Sequence, residues 1–166
     1  MYEKLFEPIK IGSMELKNRL FVPAMSTLTA TPEGASTEQF IAYHERKAQG
    51  GWGFIITEYF GVAPYVGFFP RMLGIWNDEL IESHKELTRR VHAAGAKIGA
   101  QISHSGRETY IAVSDENLVA PSPYMDVAGE KKPRELTVAE IKEIVSQYGD
   151  TARNLKKAGF ETIIVN

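Results

Sequence analysis

The side chains able to do chemistry in this chain of 166 residues are few, and most are neutral. Ser26 offers a hydroxyl, Gln101 and Asn166 offer amides, and His104 is the one group among them that titrates near neutrality. Glu58 and Tyr59 stand side by side, and Met25 brings apolar bulk next to Ser26. Donors and acceptors set beside a thioether and an aromatic ring suit a flat heterocycle with a polar edge better than they suit a metal ion. No metal site is expected, because His44, His84 and His92 contain no i, i+4 pair and no acidic third ligand accompanies them. Each candidate also has a structural alternative. Gln101 could serve a buried amide network, Ser26 a turn or cap, and His104 a loop. Glu58 reads as a general base or as an ion-paired anchor near Arg71. Tyr59, Phe60, Tyr65, Phe68 and Phe69 form either a loop core or one wall of an apolar pocket.

What ties these residues together is their place relative to four apolar runs. Pro23 to Ser26 follow Leu20-Phe21-Val22, Glu58 and Tyr59 follow Gly53 to Thr57, Gln101 and His104 close Lys97 to Ile102, and Asn166 closes Glu161 to Val165. Runs this short, rich in β-branched and aromatic residues and without polar alternation, are predicted buried strands. Helical patterns fill the intervals. Ser36 with Gln39 reads as a capping box leading into Phe40, Ile41 and His44, with Gly50-Gly51 as the stop. Asn77 caps a second helix with Leu80, Ile81, His84, Leu87 and Val91 on one stripe, ending near Gly95. Thr137 and Glu140 box a third, with Ile141, Ile144, Val145, Tyr148, Ala152 and Leu155 turned inward and Gly159 as terminator. The three remaining histidines read as helix-surface or core-edge residues.

Strand and helix therefore alternate, which calls for a parallel sheet covered by helices. A doubly wound sheet binding a dinucleotide would show a Gly-rich turn after its first strand, and Pro23-Ala24-Met25-Ser26 has none. The alternative is a (β/α)₈ barrel of which this chain supplies four strands. Ile9 to Leu16 reads as a hairpin turning at Gly12-Ser13, placed to cap the N-terminal mouth. The Pro-rich interval from Glu108 to Leu136 reads as an extended excursion at the opposite mouth, where barrels do their chemistry. Residues 1–166 are read as one unit with no internal boundary.

Composition narrows the function classes. A chain 43% hydrophobic and 24% charged can bury a core, so disorder is excluded. A net charge of -2, with no basic run, argues against nucleic acid. Without a single Cys there is no disulfide, thiolate nucleophile or iron–sulfur ligation within the chain, and a reducing cytoplasm is the simplest setting. The segment from Gly53 to Phe69 is interrupted by Glu58 and Pro64, too short and too polar for a membrane span, and the N-terminus has no secretory pattern.

Several motifs in register carry a resemblance. Leu5-Phe6-Glu7-Pro8-Ile9-Lys10-Ile11-Gly12, Leu16-Lys17-Asn18-Arg19, Pro23-Ala24-Met25 and Gln101-Ile102-Ser103-His104-Ser105-Gly106-Arg107 resemble the Old Yellow Enzyme family of NAD(P)H:flavin oxidoreductases. Ala120-Pro121-Ser122-Pro123 and Pro133-Arg134-Glu135-Leu136-Thr137 resemble its later signatures in the same order. The resemblance implies an FMN-dependent ene-reductase on a TIM barrel, with NAD(P)H as co-substrate and an activated alkene as acceptor, this chain being the N-terminal half. It implies that Pro23, Ala24, Met25 and Ser26 lie along the flavin, Ser26 at a position that often carries Thr or Cys, with Tyr59 beside the ring and Gln101 on its pyrimidine edge. Leu28 and His104 would face the substrate, and Asn166 stands where the family commonly has a His that donates to the substrate carbonyl. The phosphate site and the usual proton-donating Tyr are implied beyond the fourth strand. Four parallel strands cannot close a cylinder, so the remaining half, another chain or a second copy is expected to cover the open face. The alternative is a non-catalytic half-barrel that associates with a partner chain or with itself.

Overall fold

The structure, a computed structural model, describes residues 2–66, 69–109, 116–125 and 131–166. A short helix α1 (Glu3–Phe6) precedes an antiparallel hairpin, β1 (Ile9–Ile11) and β2 (Met14–Leu16), whose turn places Gly12 at a left-handed φ of 59°. β3 (Phe21–Val22), α2 (Glu38–Gln49), β4 (Phe54–Gly61), a two-residue β5 (Leu73–Gly74), α3 (Asp78–Ala93) and β6 (Lys97–Ser103) follow. A 3₁₀ turn at Gly106–Glu108, the pair β7 (Val119–Ala120) and β8 (Arg134–Glu135), α4 (Val138–Lys157) and β9 (Thr162–Val165) complete the order. All four predicted strands and all three predicted helices are present, the Phe54 strand running on to Gly61. α1, β5 and the β7–β8 pair were not foreseen. Part of the predicted excursion, residues 110–115 and 126–130, and Phe68 of the aromatic group lie outside the described residues.

The main sheet runs β3-β4-β6-β9, every pairing is parallel, and the order of strands in space is their order in the chain. Parallel neighbours joined through a helix cross over with one hand, so an order that never reverses puts every helix on the same face. A doubly wound sheet would have to reverse, and it is thereby excluded. The two faces bury different things. Val22, Ile55, Phe60, Ile98, Ala100 and Ile102 point toward the helices and join Phe40, Ile81, Leu87 and Leu155 in the main core. Phe54 and Ile56 point the other way and meet Leu16 of the hairpin, with Ile9, Met14, Ala24 and Ile164 around them. The hairpin thus floors the concave face, as a cap on the N-terminal mouth would. Gly99 has to be glycine there, because a Cβ would come within 2.9 Å of the Phe54 ring.

Helix ends follow their sequence signals in two cases of three. Asn77 Oδ1 accepts from Leu80 N–H at 2.8 Å, and both bonds of the Thr137–Glu140 capping box form. At α2 the cap is Thr37, whose Oγ1 accepts from Phe40 N–H, and not Ser36. Ser36 has a stronger claim elsewhere: its hydroxyl lies 2.7 Å from His84 Nδ1, while His84 Nε2 lies 2.8 Å from the Gly74 carbonyl. A carbonyl can only accept, so Nε2 carries the proton and Nδ1 accepts from Ser36. His84 and His44 are both buried in the core, deeper than the surface or edge positions expected, while His92 is half-exposed and pairs with Glu161. On α4 the inward stripe is narrower than expected. Leu155 is buried and Tyr148 and Ala152 pack on the core, but Ile141 and Val145 are exposed, Val145 at 66%. α4 packs on β6 and α3, and its far flank has nothing beneath it among the described residues.

Candidate functional site

The C-terminal ends of β3, β4, β6 and β9 meet at one rim, and strand register decides which side chains share it. Tyr59 pairs with Gln101, and Gln101 with Ile164. Paired residues on parallel neighbours point to the same face, so all three lie on the concave side, where Ile164 joins the floor cluster. Asn166, two residues beyond Ile164, follows on that face and is exposed at the mouth. Pro23, Met25, Ser26 and Leu28 are exposed on the loop leaving β3, with Ala24 packed against the floor cluster.

A bulge makes this register possible. Thr57 pairs with Ala100 and Tyr59 with Gln101, so Glu58 is the extra residue that no partner opposes. Without it Tyr59 would fall on the helix side. Glu58 itself is buried at 3% exposure, and its Oε2 accepts from the Thr27 N–H. Burial pushes its carboxyl pKa up, while the Thr27 and Leu28 N–H groups pull the other way. No ion pair is formed by Glu58 among the described residues, and Arg71 Nε donates instead to the Ala30 carbonyl at 2.9 Å. The expected ion-paired anchor does not form, and the second carboxyl oxygen of Glu58, Oε1, is buried with no hydrogen-bond partner among the described residues. Glu58 is a fastening for the β3 loop, in which Leu28 takes a left-handed φ of 54° that a non-glycine residue adopts only when its surroundings hold it there.

His104 lies just past the end of β6. Its Nδ1 accepts from Gly106 N–H at 3.0 Å, and burial lowers its pKa. His104 lines a cavity of about 100 Å³ together with Tyr65, Ile144 and Gln147. Tyr148 is the rim residue that sequence reasoning missed. Its hydroxyl lies 2.9 Å from the His104 backbone N and 3.0 Å from the Asn166 backbone O. Its place on a helical apolar stripe explained the ring and concealed the hydroxyl.

The rim is thus a neutral amide pair, an aromatic ring and a loop of exposed backbone. None of residues 23–29, 58–63, 103–105 or 166 is Lys or Arg. Such a donor set fits the ring of a flavin, whose edge both donates and accepts, and not its phosphate. No helix among the described residues is long and apolar enough to cross a membrane, and none of their His, Asp and Glu side chains cluster as a metal site would require.

The chain is similar to several known proteins. A family model described as the NADH:flavin oxidoreductase / NADH oxidase family matches residues 4–166. The NADPH dehydrogenase of Clostridium acetobutylicum is 36% identical over 163 residues, which are 98% of this chain and 48% of that enzyme. Among solved structures, Old Yellow Enzyme from Pichia sp. superposes with a TM-score of 0.84 at 28% identity, covering 98% of this chain and 45% of its own. Morphinone reductase superposes at 0.86 and 26%, covering 97% and 47%. The chain spans about half the length of each of these proteins, and its sheet is four consecutive strands of their TIM barrel.

Proposed function

The chain belongs to the NADH:flavin oxidoreductase / NADH oxidase family, and from that premise we propose that it forms the N-terminal half of the barrel of an FMN-dependent oxidoreductase. The cofactor of the family is FMN with NAD(P)H as co-substrate; the acceptor in this reading is an activated alkene conjugated to a carbonyl. FMN supplies the chemistry of taking up a hydride and passing it on. The reading rests on the shared concave face of Tyr59, Gln101 and Asn166, a neutral set suited to a heterocycle and a carbonyl.

Gln101, with an acceptor and a donor on one planar amide, holds the pyrimidine edge of the flavin, and Tyr59 on the adjacent strand lies beside the ring. Pro23, Ala24, Met25 and Ser26 line it from the β3 loop, where the Ser26 hydroxyl can tune how readily the ring is reduced. Leu28, exposed on the same loop, forms an apolar wall for the alkene. The Asn166 amide donates to the substrate carbonyl, and this bond strengthens as negative charge gathers on that oxygen during hydride transfer. An amide does not ionise, so activation at this position is independent of pH. The phosphate is held outside this chain's rim, which offers it no cation, and the remaining four strands come from further polypeptide or a partner. A cytoplasmic setting accords with the cysteine-free composition.

Titration with FMN, followed by anaerobic NADPH and then 2-cyclohexenone, tests the reading in the presence of the remaining barrel strands. Bound flavin is expected to bleach and then recover its colour, and Gln101→Ala to weaken FMN binding about tenfold through the lost edge contact. A protein that leaves the flavin spectrum unchanged sinks it. A colourless half-barrel that only associates is the second reading, favoured by exposed Phe21 at 53% and Val165 at 72%.

A further inference from the structure

Asn166 is tied by its backbone on two sides. Its N–H donates to the Ile102 carbonyl on β6 at 3.0 Å, which continues the parallel ladder one step past β9. Its backbone oxygen lies 3.0 Å from the Tyr148 hydroxyl on α4. The same hydroxyl lies 2.9 Å from the His104 backbone N. His104 N–H can only donate, so the phenol oxygen accepts there and its single proton is committed to Asn166. One side chain therefore closes a bridge between the ends of β6 and β9, reaching from a helix whose ring contacts are otherwise ordinary core packing.

We propose that Tyr148 is a positioning residue: by clamping the backbones of His104 and Asn166 together, it aims the Asn166 amide across the concave mouth at the substrate carbonyl. The inference rests on the reading of Asn166 given above and adds the group that acts through it. Two bonds to one oxygen fix direction as well as distance, and catalysis by a donor depends on direction. Burial pushes the phenol pKa up, so the proton that makes the second bond is present throughout the neutral range. A phenylalanine would fill the same space and make neither bond.

That difference makes Tyr148→Phe the test. In the FMN-loaded protein with its barrel complete, reduction of the flavin by NADPH is expected to stay within twofold of the parent, while its reoxidation by 2-cyclohexenone slows tenfold or more. Asn166→Ala should slow reoxidation by 2-cyclohexenone at least as much, and adding Tyr148→Phe to it should slow that step no further, because both act at one donor. Amide exchange at His104 is expected to quicken at least tenfold in Tyr148→Phe, with the Ile98 amide in the sheet unchanged. Equal loss in both half-reactions, full activity, or additive losses in the double variant overturn the positioning role. If the parent protein itself fails to reduce the enone, the functional reading falls and the positioning role with it. The clamp remains separately readable: unaltered exchange at His104 would show that the bridge does not exist in solution.

Discussion

His44 and His84 are held neutral by burial, His84 down to about 4 and His44, helped by the nearby Lys47 charge, to about 3. In the unfolded chain both titrate near 6.5. As pH falls below that value the unfolded state takes up protons that the native state refuses. The contribution of neutral His to stability is therefore complete above 6.5 and declines through the interval down to the native pKa. At pH 5 each ring is expected to cost about 2 kcal/mol relative to pH 7. The two differ in what replaces them. His84 satisfies Ser36 and Gly74, whereas neither nitrogen of His44 has a hydrogen-bond partner among the described residues, and its ring stands edge-on to Phe40 at 4.6 Å. His44→Leu is thus expected to leave stability at pH 7 unchanged or raise it by about 1 kcal/mol, and to remove about half of the acid sensitivity. Urea midpoints at pH 7 and pH 5 measure both; an undiminished pH difference in the variant would contradict the assignment.

Among the elements, the loop between β3 and α2 depends on a residue of the neighbouring strand. Removing the Glu58 carboxylate by Glu58→Ala leaves the Thr27 N–H without its partner and Leu28 in a left-handed conformation with less to hold it. A loss of about 2 to 3 kcal/mol is expected. Faster amide exchange should be confined to Thr27 and Leu28, with Ile55 on β4 unaffected; a uniform rise across the sheet would mean that Glu58 serves the core and not the loop. This dependence also marks what the sequence could reveal. Caps and apolar stripes are local, so Asn77, Thr137 and the Leu80 to Val91 stripe were readable residue by residue. The bulge at Glu58 was not, because a run such as Phe54-Ile55-Ile56-Thr57-Glu58 is buried on both faces and carries no alternation to break. Ser36 and Thr37 are equally good caps on paper, and His84, 48 residues away, chose between them. Gln101 and Tyr59 could be assigned to the rim from their places in their runs. The Tyr148 bridge depends on how α4 docks, which no local pattern encodes.

At the scale of the molecule, both outer strands of the sheet lack a further neighbour among the described residues, and the concave face is floored at one end only. Phe21 and Met25 stand in water on that face or its borders, and Val165 is exposed at the end of the outer strand β9. Exposed apolar surface costs roughly 25 cal/mol per Å², so the isolated 18.5 kDa chain is expected to self-associate or to capture the missing strands. Size-exclusion chromatography with light scattering checks this, and a monodisperse monomer that fails to bind an apolar dye would refute it. The unbroken order of the sheet has another consequence. Each strand of the β3-β4-β6-β9 path finds its partner in the path strand made just before it, so none has to wait for residues not yet translated. Synthesis and assembly can advance together, each βα unit docking as it leaves the ribosome.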